Sequence, residues 1–202
     1  HVEDYHFMEL ALINTSATDF DEFTVFDHPL LIKNKTLTHE NLNFEIEILN
    51  YLENCEPTKR TSPPGIHYKG MLKNFMLKEL KPEKEDNWNR PGIIYKISNS
   101  GTSADGMYGI FLGQPVPQTV SIKEKDFTII LRRKRTYLPF SIELIDFKKI
   151  LHPGTDIPKS YSSDIILIEN GVARKILIQM NEPLRHKGYT FFQSSFIEGP
   201  DN

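Results

Sequence analysis

The side chains best suited to ligand chemistry fall in two clusters and one isolated turn, all C-terminal to Leu131. Arg132, Arg133 and Arg135, with Lys134 between them, form the one basic run. Guanidinium forks match carboxylates in shape and charge. The run therefore reads either as a solvated strand end or as an anion site for carboxylates or phospholipid headgroups. The second cluster is Pro183–Gly188 (PLRHKG), which carries Arg185, His186 and Lys187. An imidazole between two cations has its charged form disfavoured, which suits a neutral ring able to ligate iron. Arg185 and Lys187 are suited to hold carboxylates beside it. His152 precedes Pro153-Gly154 in a separate turn. The plain alternative for both histidines is an exposed turn residue.

Other chemistries find little support. Cys55 is the single cysteine, so no internal disulfide forms, and no CxxC, CxxCH or Cys/His cluster exists. No HExxH spacing occurs among the histidines. Ser162, Ser163, Ser194 and Ser195 lack a GxSxG context, and no acidic pair stands out as an acid–base couple. A non-catalytic domain is the expectation. A net charge of −3 and a pI near 6.2 argue against a nucleic-acid binder, which normally carries a basic excess. Phe191, Phe192 and Phe196 suit either core packing or an apolar ligand groove.

The elements that must position these groups read as strands. Apolar alternation or short apolar runs recur at Phe7–Ile13, Glu22–Phe26, Asn43–Leu49, Gly92–Ile97, Met107–Leu112, Thr119–Ile122 and Phe127–Leu131. They continue at Phe140–Ile145, Asp164–Ile168, Arg174–Gln179 and Tyr189–Ser194. Asn170-Gly171 is a hairpin signal that predicts antiparallel pairing of Ile165–Ile168 with Lys175–Ile178. The one helical candidate is Lys69–Leu80, where Met71, Leu72, Phe75, Met76 and Leu80 would share a face.

Leu42–Tyr51 (LNFEIEILNY) and Leu138–Phe147 (LPFSIELIDF) read as a repeat, 96 residues apart. Leu30–Lys35 (LLIKNK) and Ile129–Lys134 (IILRRK) extend the likeness upstream. The expected fold is mainly β, an antiparallel sandwich or barrel-like architecture of two related half-domains with at most one or two short helices. The expected division is 1–80, a polar bridge at 81–91, and 92–202.

Three ordered blocks carry a family resemblance: Leu131–Phe147 (LRRKRTYLPFSIELIDF), His152–Asp164 (HPGTDIPKSYSSD) and Met180–Ser195 (MNEPLRHKGYTFFQSS). Asn14–Val25 and Leu42–Tyr51 are similar more loosely. The chain resembles the ResB (CcsB) component of System II cytochrome c biogenesis. That resemblance implies a large extracytoplasmic (periplasmic) domain of a polytopic membrane protein, with flanking membrane helices outside this sequence. It implies a CcsA-like membrane partner, apocytochrome c as client, and transient contact with haem b rather than a tightly held cofactor. Within that role Arg132, Arg133 and Arg135, with Arg185 and Lys187, would hold propionates or acidic partner surfaces, and His152 or His186 would be a transient haem ligand. The start at His1, within a strand-like region, fits a piece of a longer protein. An extracytoplasmic β-sandwich module for a peptide or glycan is the alternative from another class.

Overall fold

The computed structural model describes residues 1–16 and 22–193, and the chain divides into two compact units, His1–Thr136 and Tyr137–Asn202. In the first unit the strands run β1 Val2–Asn14, β2 Glu22–Asp27, β3 Lys35–Leu37, β4 Glu45–Leu52 and β5 Cys55–Lys59. They continue as β6 Phe75–Glu79, β7 Gly92–Ser98, β8 Gly106–Phe111, β9 Gln118–Ile122 and β10 Lys125–Thr136. Two antiparallel sheets form, ordered β2-β1-β10-β9 and β3-β4-β7-β8, beside a β5-β6 ribbon.

Alternation decides the packing, because successive side chains of a strand point to opposite faces. Leu10, Leu12 and Ile129 leave the first sheet for the same apolar core that Ile46, Ile48, Ile93, Tyr95 and Ile97 enter from the second. The Phe44 and Phe127 rings meet edge to face across this core, with centroids 5.3 Å apart. The unit is thus a two-layer sandwich, and its sheets stay open rather than closing into a barrel.

The second unit contains β11 Ser141–Leu151, β12 Pro158–Glu169, β13 Val172–Gln179, β14 Leu184–His186 and β15 Tyr189–Phe191. The order β11-β12-β13 makes one antiparallel sheet, and β14 pairs β15. Its core is small: Phe140, Ile165, Leu167, Ile178 and Leu184 are buried, with Tyr189 and Phe191 packed against them. Asn170 (φ +49°) and Gly171 (φ +77°) close the β12–β13 hairpin as expected, since a two-residue turn of this kind needs positive φ at both positions. Lys187 (φ +45°) and Gly188 (φ +81°) close the β14–β15 hairpin in the same way, with His186 paired to Tyr189.

Several expectations are corrected. Lys69–Leu80 is not a helix: Gly70–Lys73 forms a 3₁₀ turn and the chain then extends as β6, paired with β5. Gly70 sits at φ +52°, and Phe75 and Met76 are 41% and 43% exposed rather than sharing a buried face. The polar stretch 81–91 lies inside the first unit, because β4 pairs with β7 across it and β1 pairs with β10 over most of their length. The division falls at Thr136/Tyr137 instead. Among the described residues the helical elements are three short 3₁₀ turns.

The two repeat segments become β4 and β11, one in each unit. Each carries a bulge at the corresponding place, with Leu49 standing outside the pairing between Ile48 and Asn50 and Ile145 between Leu144 and Asp146. β4 nevertheless lies between β3 and β7, whereas β11 is a sheet edge with mostly exposed side chains. The upstream likeness does not extend to structure: Leu30–Lys35 is a 3₁₀ end, a turn and the first residue of β3, while Ile129–Lys134 lies inside β10.

Candidate functional site

In the first unit, each member of the basic run already has a partner. Arg132 stands directly opposite Glu9 on β1, and its Nε donates to Glu9 Oε1 at 2.7 Å, with side chains only 10% and 5% exposed. The Arg133 guanidinium lies 3.7 Å above the Tyr5 ring centroid. Lys134 pairs with Asp27 at 3.1 Å, and Arg135 Nε with Glu3 Oε1 at 3.2 Å. Acidic and aromatic residues on β1 and β2 thus face the basic residues of β10. Arg132 is structural, while Arg133 and Arg135 remain partly exposed.

In the second unit, His186 and Lys187 converge on Glu169, the last residue of β12. His186 Nε2 lies 3.0 Å from Glu169 Oε2, the Lys187 ammonium contacts Oε1, and Arg174 Nη2 is 4.0 Å away. The His186 ring also packs edge-on against Phe140, centroids 4.8 Å apart, so the cluster is tied to the small core. The Lys187 ammonium, with help from His186, holds the Glu169 carboxyl below the usual carboxylate range despite partial desolvation. A carboxyl whose pKa is lowered by folding stabilises the fold above its unfolded value, near pH 4.3, and that contribution is lost as pH falls through the lower folded value. The expected result is that Glu169→Gln lowers the melting temperature of the second unit at pH 7. The difference from the parent should shrink on acidification below about pH 4, as read by differential scanning calorimetry across pH.

His152 is placed elsewhere in this unit. It is exposed in the β11–β12 connection, with its N–H bonded to the Ile157 carbonyl at 2.9 Å. His152 precedes the first residue of β12 and Glu169 is the last. At about 3.3 Å per residue the two histidines are separated by roughly 35 Å of strand, so they cannot ligate one metal ion together. Arg185 is exposed on β14. Phe191 packs in the core and Phe192 is 65% exposed. Phe196, Ser194 and Ser195 lie outside the described residues. Ser163 Oγ hydrogen-bonds Gln193 Oε1.

Two features of the first unit are not visible in sequence. One is His28, which opens a 3₁₀ turn. Its Nδ1 accepts the Met8 N–H at 3.3 Å, and its ring meets Phe7 and Tyr51 edge-on at 5.5 and 5.3 Å. Burial lowers its pKa, which keeps the ring neutral and Nδ1 an acceptor. It lines a polar pocket of about 290 Å³ with His6, Tyr51, Glu53 and Asp86, where His6 Nδ1 pairs with Asp86. These residues come from segments far apart in the chain, and no local motif joins them.

The other is an apolar groove of about 750 Å³ built from β5, β6, the Gly70–Lys73 turn and the loop between β8 and β9. Cys55 lies buried among Leu52, Leu77 and Phe111 beside it. Burial pushes the Cys55 thiol to about 11, so it is an inert packing group rather than a nucleophile. Among the described residues, no three His, Cys, Asp or Glu side chains gather as a metal site.

Residues 103–202 match the model of the ResB-like family. The chain belongs to the ResB-like family through this half. The matched residues take in β8 to β10 of the first unit and the described part of the second, including both clusters singled out above. A 61-residue stretch is 39% identical to protein NrfI of Wolinella succinogenes. That stretch is 29% of this chain and 7% of the relative, so the ResB-like chain spans a small part of that protein's length. No helix among the described residues is long and apolar enough to cross a membrane.

Proposed function

We propose that this chain is an extracytoplasmic domain of a membrane-anchored cytochrome c biogenesis protein. In this reading it assists haem delivery to, or attachment on, apocytochrome c beside a CcsA-like partner. The observation that carries the reading is positional. The three blocks of resemblance lie within the matched residues 103–202 and take in the end of β10, the first parts of β11 and β12, and the β14–β15 hairpin. Thioether formation takes its vinyl groups from haem and its thiols from the client. The domain's share is therefore orientation and shielding rather than bond making.

The geometry ranks the contact residues. His152 and Arg185 are exposed, and Arg133 and Arg135 are partly so. His186 and Lys187 are engaged by Glu169, and Arg132 by Glu9. Titration of the purified chain with haemin is expected to give a saturable Soret shift that His152→Ala or Arg185→Ala weakens. His186→Ala should chiefly lower stability. An unchanged Soret band would remove haem contact and leave a scaffolding role toward the client.

A β-sandwich module for a peptide or glycan is the second reading, favoured by the sheet edge that β9 presents. It predicts binding that needs no flanking membrane helices.

A further inference from the structure

The groove of the first unit has the makings of a ligand site that neither the family match nor the haem reading assigns. Its volume of about 750 Å³ falls within the roughly 300–1,000 Å³ of small-molecule pockets. Met71 comes from the 3₁₀ turn, Phe75 from β6 and Phe111 from β8, while Val116 stands between Pro115 and Pro117 at the lip. Val116 is 75% exposed and Phe75 41%, so the groove leaves apolar surface in water. The prolines fix the lip's backbone before anything binds, which lowers the ordering cost of association.

Among the described residues one charge lines this groove. Arg90 places its guanidinium over the Phe111 ring, 5.8 Å from the centroid, and among the described residues no carboxylate lies within ion-pair reach of it. Of the other cations named above, Arg132, Lys134, Arg135 and Lys187 pair with carboxylates and Arg133 lies over Tyr5, while Arg185 stands exposed on β14 of the second unit. Arg90 serves the fold through its backbone, its N–H donating to Asn54 Oδ1 at 3.1 Å and its carbonyl accepting the Cys55 N–H at 2.9 Å. Its side chain is left for something else. Gln114 at the lip donates through Nε2 to the Val116 carbonyl, while its buried Oε1 has no donor in the structure, so the polar groups of the lip are incompletely satisfied.

We propose that this groove binds a small amphipathic carboxylate, its apolar body on Met71, Phe75, Phe111 and Val116 and its carboxylate on Arg90. The charge complementarity selects an anion, and a single cation among apolar walls selects one carboxylate rather than a polyanion. The apolar lining disfavours a sugar, whose hydroxyls would be left without partners.

The test uses 11-(dansylamino)undecanoate with the full chain, followed by fluorescence. The expected result is a saturable, blue-shifted enhancement for one site. Arg90→Met should weaken binding about tenfold, the size of one lost charge-assisted contact. Val116→Glu should weaken it further by setting a like charge at the lip, and the methyl ester of the probe should bind the parent as weakly as the acid binds Arg90→Met. Circular dichroism is expected to show parent-like folding for Arg90→Met, since its structural bonds are backbone bonds. Absence of saturable enhancement in the parent, or equal affinity of parent and Arg90→Met, would overturn the proposal.

Discussion

Glu9→Ala is expected to destabilise the first unit by about 3–5 kcal/mol, because it strands the Arg132 guanidinium in a buried site. Both side chains are nearly out of water, at 10% and 5% exposure, and the pair sits directly across the β1–β10 ladder. Glu9 Oε2 also accepts the Arg135 N–H at 3.4 Å, so its loss reaches the far end of the basic run on β10. A whole domain is held by only about 5–15 kcal/mol, and a loss of this size moves the urea midpoint far down. The double replacement Glu9→Leu with Arg132→Met should recover most of the loss, since a buried ion pair and an apolar pair of similar volume are nearly equivalent. Equal midpoints for Glu9→Ala and the parent would mean that the pair is solvated and that Arg132 is available to ligands after all.

Phe140→Ala is expected to cost about 3–5 kcal/mol, the usual range for a buried phenylalanine. The consequence is larger than the number, because among the described residues the second unit has five buried apolar side chains. Phe140 is the ring that touches His186, Tyr189 and Phe191, with centroids 4.8, 6.1 and 6.0 Å away, so it joins the β14–β15 hairpin to the sheet. Hydrogen exchange should show peptides of the second unit losing protection while those around Ile48 and Tyr95 keep theirs. Protection lost in both units together would show that they fold as one.

What could be read in the sequence, and what could not, follows from the range of the forces involved. Strand positions were legible because Ile93, Tyr95 and Ile97 alternate with less buried residues, a local pattern with a single cause. The Asn170-Gly171 turn was legible for the same reason. The Lys187-Gly188 turn was not, because lysine carries no preference for positive φ and is held there by its hairpin and by Glu169. Lys69–Leu80 misled because its apolar spacing fits a helical face, while the pairing with β5 that overrides it lies elsewhere in the chain. Arg132 was legible as a cation, but its partner Glu9 sits at the other end of the unit's sequence, and only the β1–β10 register joins them. Likewise the groove draws on residues from Pro57 to Thr119, none of which forms a motif.

These placements change what the basic and histidine clusters mean. The residues singled out first for ligand chemistry are, in large part, the ones that hold each unit together: Arg132 on Glu9, and His186 and Lys187 on Glu169. The exposed cations and the exposed His152 are what remains for partners. A supporting role in haem attachment is consistent with that division between structural and available groups.

The most direct test of the central proposal is cytochrome c maturation in cells. The full-length protein is expressed with residues 137–202 replaced by a flexible linker, in a strain lacking its own copy, and covalently bound haem is read on denaturing gels. The expected result is loss of haem-stained c-type cytochrome with normal accumulation of the truncated protein in the membrane. Unimpaired maturation with the unit removed would contradict the account.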